Sequence, residues 1–150
     1  MGFFSRLRED IRAFDRKNTD ESKVFSAHRF SCYRGVTVWK MRLKRSGSVG
    51  IIFLDPRENA DTLRHEYGHT VQLRRLGLFR YLFCIGIPSW RDWGKEPYYD
   101  RPWEVTADVF GGVKGRTHSA GTILAGLDYL DESKRHGLRV LKGKRSGGKQ

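Results

Sequence analysis

Cysteine is scarce in this chain. Its 150 residues hold only Cys32 and Cys84, which form no CxxC pair. A chain of this length buries enough apolar surface to fold without disulfides, so both are expected as plain buried thiols. Acidic residues also run short, 17 Asp and Glu against 29 Lys and Arg, which leaves a formal charge of +12. Such a field favours polyanions or acidic partners. No recognisable nucleic-acid-binding motif organises it, however, and a solvated basic surface accounts for scattered charges more simply. The chain opens without the charged, apolar and small-residue sequence of a secretory signal, so the expected location is cytoplasmic. A myristoylation signal would need Ser or Thr where Arg6 stands, and lipidation is rejected. The most apolar stretch, 76–90, is interrupted by Arg80, Gly86 and Pro88 and is too short to span a bilayer. It reads as core, with exposed aromatics of a substrate cleft as the lesser alternative. No internal repeat occurs.

What is present describes one domain. Hydrophobic residues make up 38% and aromatic residues 13%, which excludes a wholly disordered chain. The domain is expected over residues 1–141. Residues 142–150 (KGKRSGGKQ) hold four basic side chains, three glycines and nothing apolar, and are expected as a disordered basic tail. Without that tail the body still carries +8. Phe3, Leu7, Ile11 and Phe14 recur at helical spacing and predict an amphipathic helix over about 3–17, packed on its own domain in preference to a membrane or partner. Residues 18–23 read as a polar linker. Alternation over 30–43, a turn at 44–48 and an apolar run at 49–54 predict an antiparallel hairpin, its second strand buried on both faces. A helix is predicted from Asn59, or capped by Asp55, to Leu76, with Gly77 as its stop. A loop over 91–101 leads to a helix that begins at Pro102 and ends at Gly111-Gly112. A last helix covers 120–136. The predicted class is α+β, a small antiparallel sheet packed on the helix that starts near Asn59.

That helix carries His65-Glu66-Tyr67-Gly68-His69, an HExxH motif. Histidines at i and i+4 lie one turn apart on one face, so both imidazoles reach a single metal ion, with Glu66 beside them as a base for a zinc-activated water. With five His and seven Glu in the chain, chance alone produces this pattern in roughly one such sequence per hundred. Two histidines are moreover too few for a catalytic zinc, which takes three protein ligands and keeps one position open. The extended pattern HExxHxxGxxH fails, because Gln72 and Arg75 occupy its Gly and His positions. A carboxylate on a second helix is the other common solution, and Trp103-Glu104-Val105-Thr106-Ala107-Asp108 offers two, one turn apart. Glu104 would bind the metal, and Asp108 would accept a hydrogen bond from a ligand imidazole. Ala107 is small enough to let the two helices approach closely.

HExxH followed 35 residues later by ExxAD resembles the gluzincin class of zinc peptidases, over about 61–112. The resemblance implies a minimal zincin-like fold of the kind found in short bacterial metallopeptidases, one Zn2+ held by His65, His69 and Glu104, and Glu66 as general base and acid. Asp108 would steady a ligand, and an upstream edge strand would hold peptide substrate extended. A Tyr or His that stabilises the oxyanion is also implied, with Tyr98, Tyr99 and His118 as candidates, packing being an equal alternative for the tyrosines and an exposed loop the alternative for His118. The expected function is zinc-dependent peptide hydrolysis. Two others compete with it: a protease for nucleic-acid-associated proteins, similar in role to SprT-type enzymes and supported by charge alone, and a non-catalytic module tied together by its metal. A fourth protein ligand, such as His118, would favour the last. The oligomeric state is not legible.

Overall fold

A computed structural model describes residues 2–137, so the tail expected at 142–150 lies outside the described residues. The class is α+β. Strands β1 (Phe30–Tyr33), β2 (Val36–Lys40), β3 (Gly47–Ser48) and β4 (Ile52–Leu54) form one sheet in the order β1-β2-β4-β3. The sheet is mixed, which corrects the expected antiparallel hairpin. The stretch read as one strand folds back on itself at Arg34-Gly35, and the resulting β2 runs parallel to β4, leaving β1/β2 and β3/β4 as the antiparallel pairs. Arg34 (φ 47) and Gly35 (φ 79) both adopt positive φ, as a two-residue hairpin turn of matching twist requires. Arg34 is an unusual residue for that position. Its guanidinium stacks over the rings of Tyr33 and Tyr67 at 5.0 and 5.1 Å and donates to the Gly111 carbonyl at 3.3 Å, contacts that offset the backbone cost.

One sheet face supplies a core of Tyr33, Val36, Val38, Ile52 and Leu54, closed by Val24 and by Leu63 of the central helix. The other face is only half-covered, by a run of rings from Phe30 to Trp39 to Phe53, so β4 is not buried on both sides as expected. Two helices precede the sheet. Helix α1 (Phe3–Ala13) is shorter than predicted and does not pack through its apolar face: Phe3, Phe4, Leu7 and Ile11 are exposed, and only Ala13 is buried. It is tied to the body by Asp10, whose carboxylate accepts the His28 N–H. Part of the supposed linker is α2 (Glu21–Ser26), capped by Asp20.

The central helix α3 (Ala60–Leu76) starts where Asn59 accepts the Thr62 N–H at 3.0 Å and stops at Gly77, φ 79. Asp61 in its first turn and Arg74 and Arg75 in its last complement the helix dipole. Asp55, the other candidate cap, instead accepts from Leu43 and Arg57 and folds the loop between them. Next comes an irregular helical segment, α4 (Leu78–Tyr81), a π-helical turn (Leu82–Gly86) and α5 (Ile87–Asp92). Pro88 cannot donate to the Cys84 carbonyl one turn back, and the Tyr129 hydroxyl supplies that bond at 2.7 Å. Helices α6 (Pro102–Gly111) and α7 (Ala120–His136) complete the fold, with a second core of Leu76, Tyr81, Cys84, Ile85, Trp103 and Leu130 among them. Cys32 and Cys84 are buried and free. Among the described residues no helix is long and apolar enough to cross a membrane.

Helices α3 and α6 approach backbone to backbone. A Cβ on Gly68 would lie 1.9 Å from the Ala107 carbonyl oxygen, and one on Gly111 would lie 1.8 Å from that of Arg64. Glycine is required at both crossings.

Candidate metal centre

The close crossing brings His65 and His69 of α3 against Glu104 of α6, all three buried. Their ligand atoms lie within 4.8 Å of one another, and this group could hold a metal ion. Hydrogen bonds on the far side of each ring decide which nitrogens face inward. His65 Nδ1 is 2.6 Å from Asp108 Oδ1, and His69 Nδ1 is 2.8 Å from Gln72 Oε1, both acceptors, so each ring carries its proton on Nδ1 and turns a bare Nε2 inward. The two Nε2 atoms are 3.1 Å apart, and Glu104 Oε2 lies 2.9 Å from one and 3.6 Å from the other. Three lone pairs thus converge with no donor among them. Such a focus suits a cation, and the donor set could hold a metal ion.

In the metal-free chain a proton on His65 can take that place. Burial works against the imidazolium of His65, but the hydrogen bonds it donates to Asp108 and Glu104 and the charges of Glu104 and Glu66 outweigh it and raise its pKa from 6.5 to about 9. A metal ion must displace this proton, so apparent affinity is weakest at low pH. It should rise by about tenfold per pH unit and level off above about 9, which competition titration with a chelator of known affinity will check. A flat profile across neutral pH would place the proton elsewhere.

Each ligand is held by an outer partner. Glu104 Oε1 accepts from Ser89 Oγ at 2.6 Å; Ser89 accepts from the Tyr98 hydroxyl at 2.7 Å, and Arg45 donates to both hydroxyls. Burial raises the pKa of Glu104, yet the neighbouring histidines outweigh it and hold the carboxyl well below the usual range. Asp108 takes the N–H of His65, two from Arg116 at 2.9 and 2.7 Å, and one from His118 at 2.8 Å, which keep it ionised despite burial. The loop carrying Arg116 and His118 is fixed in turn by Asp61, which accepts the N–H groups of Lys114 and Gly115.

By its place in the sequence Gln72 does no more than break the longer histidine motif. It is fully buried. Its amide donates to the Trp103 carbonyl at 2.6 Å and to Thr106 at 2.7 Å while its oxygen orients His69, so it links the second histidine to the helix bearing Glu104. Replacement by leucine, of similar size, should weaken metal binding by about 10–100-fold, measurable by the same competition titration. The spacing of three residues after His69 would have pointed to it. Ser89 and Arg116 carry no such local signal.

The three oxyanion candidates sit differently. Tyr98 is buried and engaged with Ser89 and Arg45. His118 is not in an exposed loop: its side chain is only 7% exposed and is bonded to Asp108, so it is not a fourth ligand. Tyr99 is half-exposed, packs edge-on against His65 with centroids 5.8 Å apart, and lies under the Arg116 guanidinium. Glu66 lines two openings. A cleft of about 480 Å³ runs over Glu66 and His69 between residues 43–49 and the Tyr81–Trp93 wall, and a polar pocket of about 140 Å³ opens beside His65, Tyr99 and Arg116. Ser48 of β3 donates to the Glu66 carbonyl at 3.0 Å and accepts from Tyr81, which fixes the edge strand along the cleft.

No model of a known protein family, no characterised protein and no solved structure matches the chain.

Proposed function

We propose that this protein is a zinc-dependent peptidase of the gluzincin type, with a minimal zincin-like arrangement of sheet and helices. The observation that carries the reading is the three-atom focus of His65, His69 and Glu104, beside a cleft that His69 and Glu66 line. Two imidazole nitrogens and one carboxylate oxygen are a donor set suited to catalytic zinc, and among the described residues the group gains no fourth side chain. That last point argues against a purely structural metal. Zinc bound there would lower the pKa of water and polarise a carbonyl.

The remaining roles fall to the chain's own residues. Glu66 Oε2 is buried with no hydrogen-bond partner, a carboxylate oxygen placed to take a proton from water and return it to a leaving amine. Asp108 and Gln72 hold the two imidazoles in the tautomer that presents Nε2, and Ser89 holds Glu104. β3, at the edge of the sheet, offers backbone groups along which a peptide can lie extended. Of the oxyanion candidates Tyr99 suits the role best, since its hydroxyl makes no hydrogen bond among the described residues while Tyr98 and His118 are engaged.

Elemental analysis of the purified chain, paired with digestion of a peptide library, tests the proposal. Stoichiometric zinc is expected, with cleavage that chelation abolishes and zinc restores. Stoichiometric zinc without cleavage of any peptide would reduce the site to a metal-tied module.

A further inference from the structure

The segment from Leu78 to Asp92 is amphipathic in the reverse sense. Tyr81, Cys84, Ile85, Ser89 and Asp92 point inward, whereas Leu78, Phe79, Phe83, Ile87 and Trp90 are exposed, Phe79 by 76% and Trp90 by 78%. The outward residues recur at spacings of one, four, four and three, one stripe along the helical segment. A segment bathed in water on its outer side would carry its polar residues there. The stretch expected as core is core only on its inner side.

We propose that this face docks on an anionic lipid surface and lies in the headgroup boundary without crossing the bilayer. Basic side chains accompany the stripe: Arg80 and Arg91 within the segment and Arg74, Arg75 and Lys95 flanking it in sequence are all exposed, Arg75 over the Phe110 ring and Arg91 and Lys95 close to Asp92, whose own side chain is turned inward. The whole chain carries +12. An apolar stripe with tryptophan at its end and a basic surround matches the profile of anionic headgroups over acyl chains. A second copy of the chain fits poorly, because pairing two such faces would bring like charges together around the seam. The face is also prebuilt. Its inner side is locked by Tyr81, Cys84 and Ile85 in the second core and by the Tyr129 bond to the Cys84 carbonyl. Trp90 belongs both to the stripe and to the wall of the cleft over Glu66, so docking would set the mouth of the cleft at the lipid surface. On the peptidase reading, substrates would then be presented at membranes.

The test mixes the intact chain with vesicles of phosphatidylcholine alone or mixed with phosphatidylglycerol and reads binding by sedimentation. Binding is expected only to the mixed vesicles, falling as added salt screens the charges. Phe79→Ser with Trp90→Ser should reduce it by about tenfold or more. Both side chains are outside the cores, and circular dichroism will establish that the double variant is folded. Helix α1 has an outward apolar face of its own beside β1, and Phe3→Ser with Phe4→Ser, which should change binding by less than about twofold, is the control. The proposal is overturned by absence of binding at low salt, by equal binding to both vesicle types, or by loss through the α1 variant instead. It is also overturned by vesicle-free dimerisation that the Phe79/Trp90 variant abolishes, which would assign the face to a second copy. The readout is binding, so its failure is distinct from failure of the peptidase reading.

Discussion

Gly68→Ala is expected to destabilise the protein by about 3 kcal/mol and to weaken metal binding at the same time. On helix propensity alone the change should stabilise, since alanine is favoured over glycine by about 1 kcal/mol inside a helix. The sign reverses because the new Cβ would meet the Ala107 carbonyl oxygen at 1.9 Å, and the atoms it meets are backbone, which no rotamer change can clear. Helix α6 must move away from α3. Glu104 moves with it, and its distances of 2.9 and 3.6 Å to the two histidines lengthen, so affinity for the metal should fall by about tenfold or more. Urea unfolding of the metal-free protein measures the first effect, and the midpoint of thermal unfolding should drop by about 10 °C. Gly121→Ala in α7 is the matching control, because nothing lies within 4 Å of its Cβ position, and it should change stability by less than about 1 kcal/mol. If Gly68→Ala behaves like Gly121→Ala, the close crossing is not what holds the site.

The parts of this molecule that were legible in its sequence are those fixed by local chemistry. The limits of α3 and α6 follow from Asn59, Gly77, Pro102 and Gly112, each acting on its own turn of backbone. The i, i+4 spacing of His65 and His69 and the matching spacing of Glu104 and Asp108 put each pair on one helix face before any tertiary contact is known. Ala107 hinted at the close approach, but the two glycines that permit it, Gly68 and Gly111, were read as part of a motif and as a helix end. The turn that splits β1 from β2 is hidden in the sequence because Arg34-Gly35 lacks the Asn or Asp usual there, and its strain is relieved by Tyr67 and Gly111, distant in sequence. The same limit applies to the outer partners of the site. Ser89 and Arg116 reach Glu104 and Asp108 only through the folded chain, and His118 looked like a loop residue until Asp108 captured it. Hydrophobicity alone also could not orient residues 78–92, since an apolar stripe facing out has the same spacing as one facing in.

Glu66→Gln is expected to lower kcat by about 10³-fold, about 4 kcal/mol in the barrier, while zinc content stays stoichiometric. Gln preserves the volume of the side chain and its exit from α3, but it cannot accept and return a proton. The metal ligands keep their outer partners, none of which involves the Glu66 side chain: Asp108 on His65, Gln72 on His69, Ser89 on Glu104. Substrate held along β3 by backbone groups would be bound as before, so KM should change little. The metal-free variant should keep the parent's stability to within about 1 kcal/mol, because Gln fills the same volume and Glu66 Oε2 has no hydrogen-bond partner to lose. Little change in stability with loss of turnover is the signature of a group retained for chemistry, and it separates Glu66 from Gly68, whose substitution lowers stability and metal affinity together. Measuring zinc content, unfolding and cleavage of one library-selected peptide on the same preparations reads all three quantities. Hydrolysis within about tenfold of the parent would take Glu66 out of the proton path.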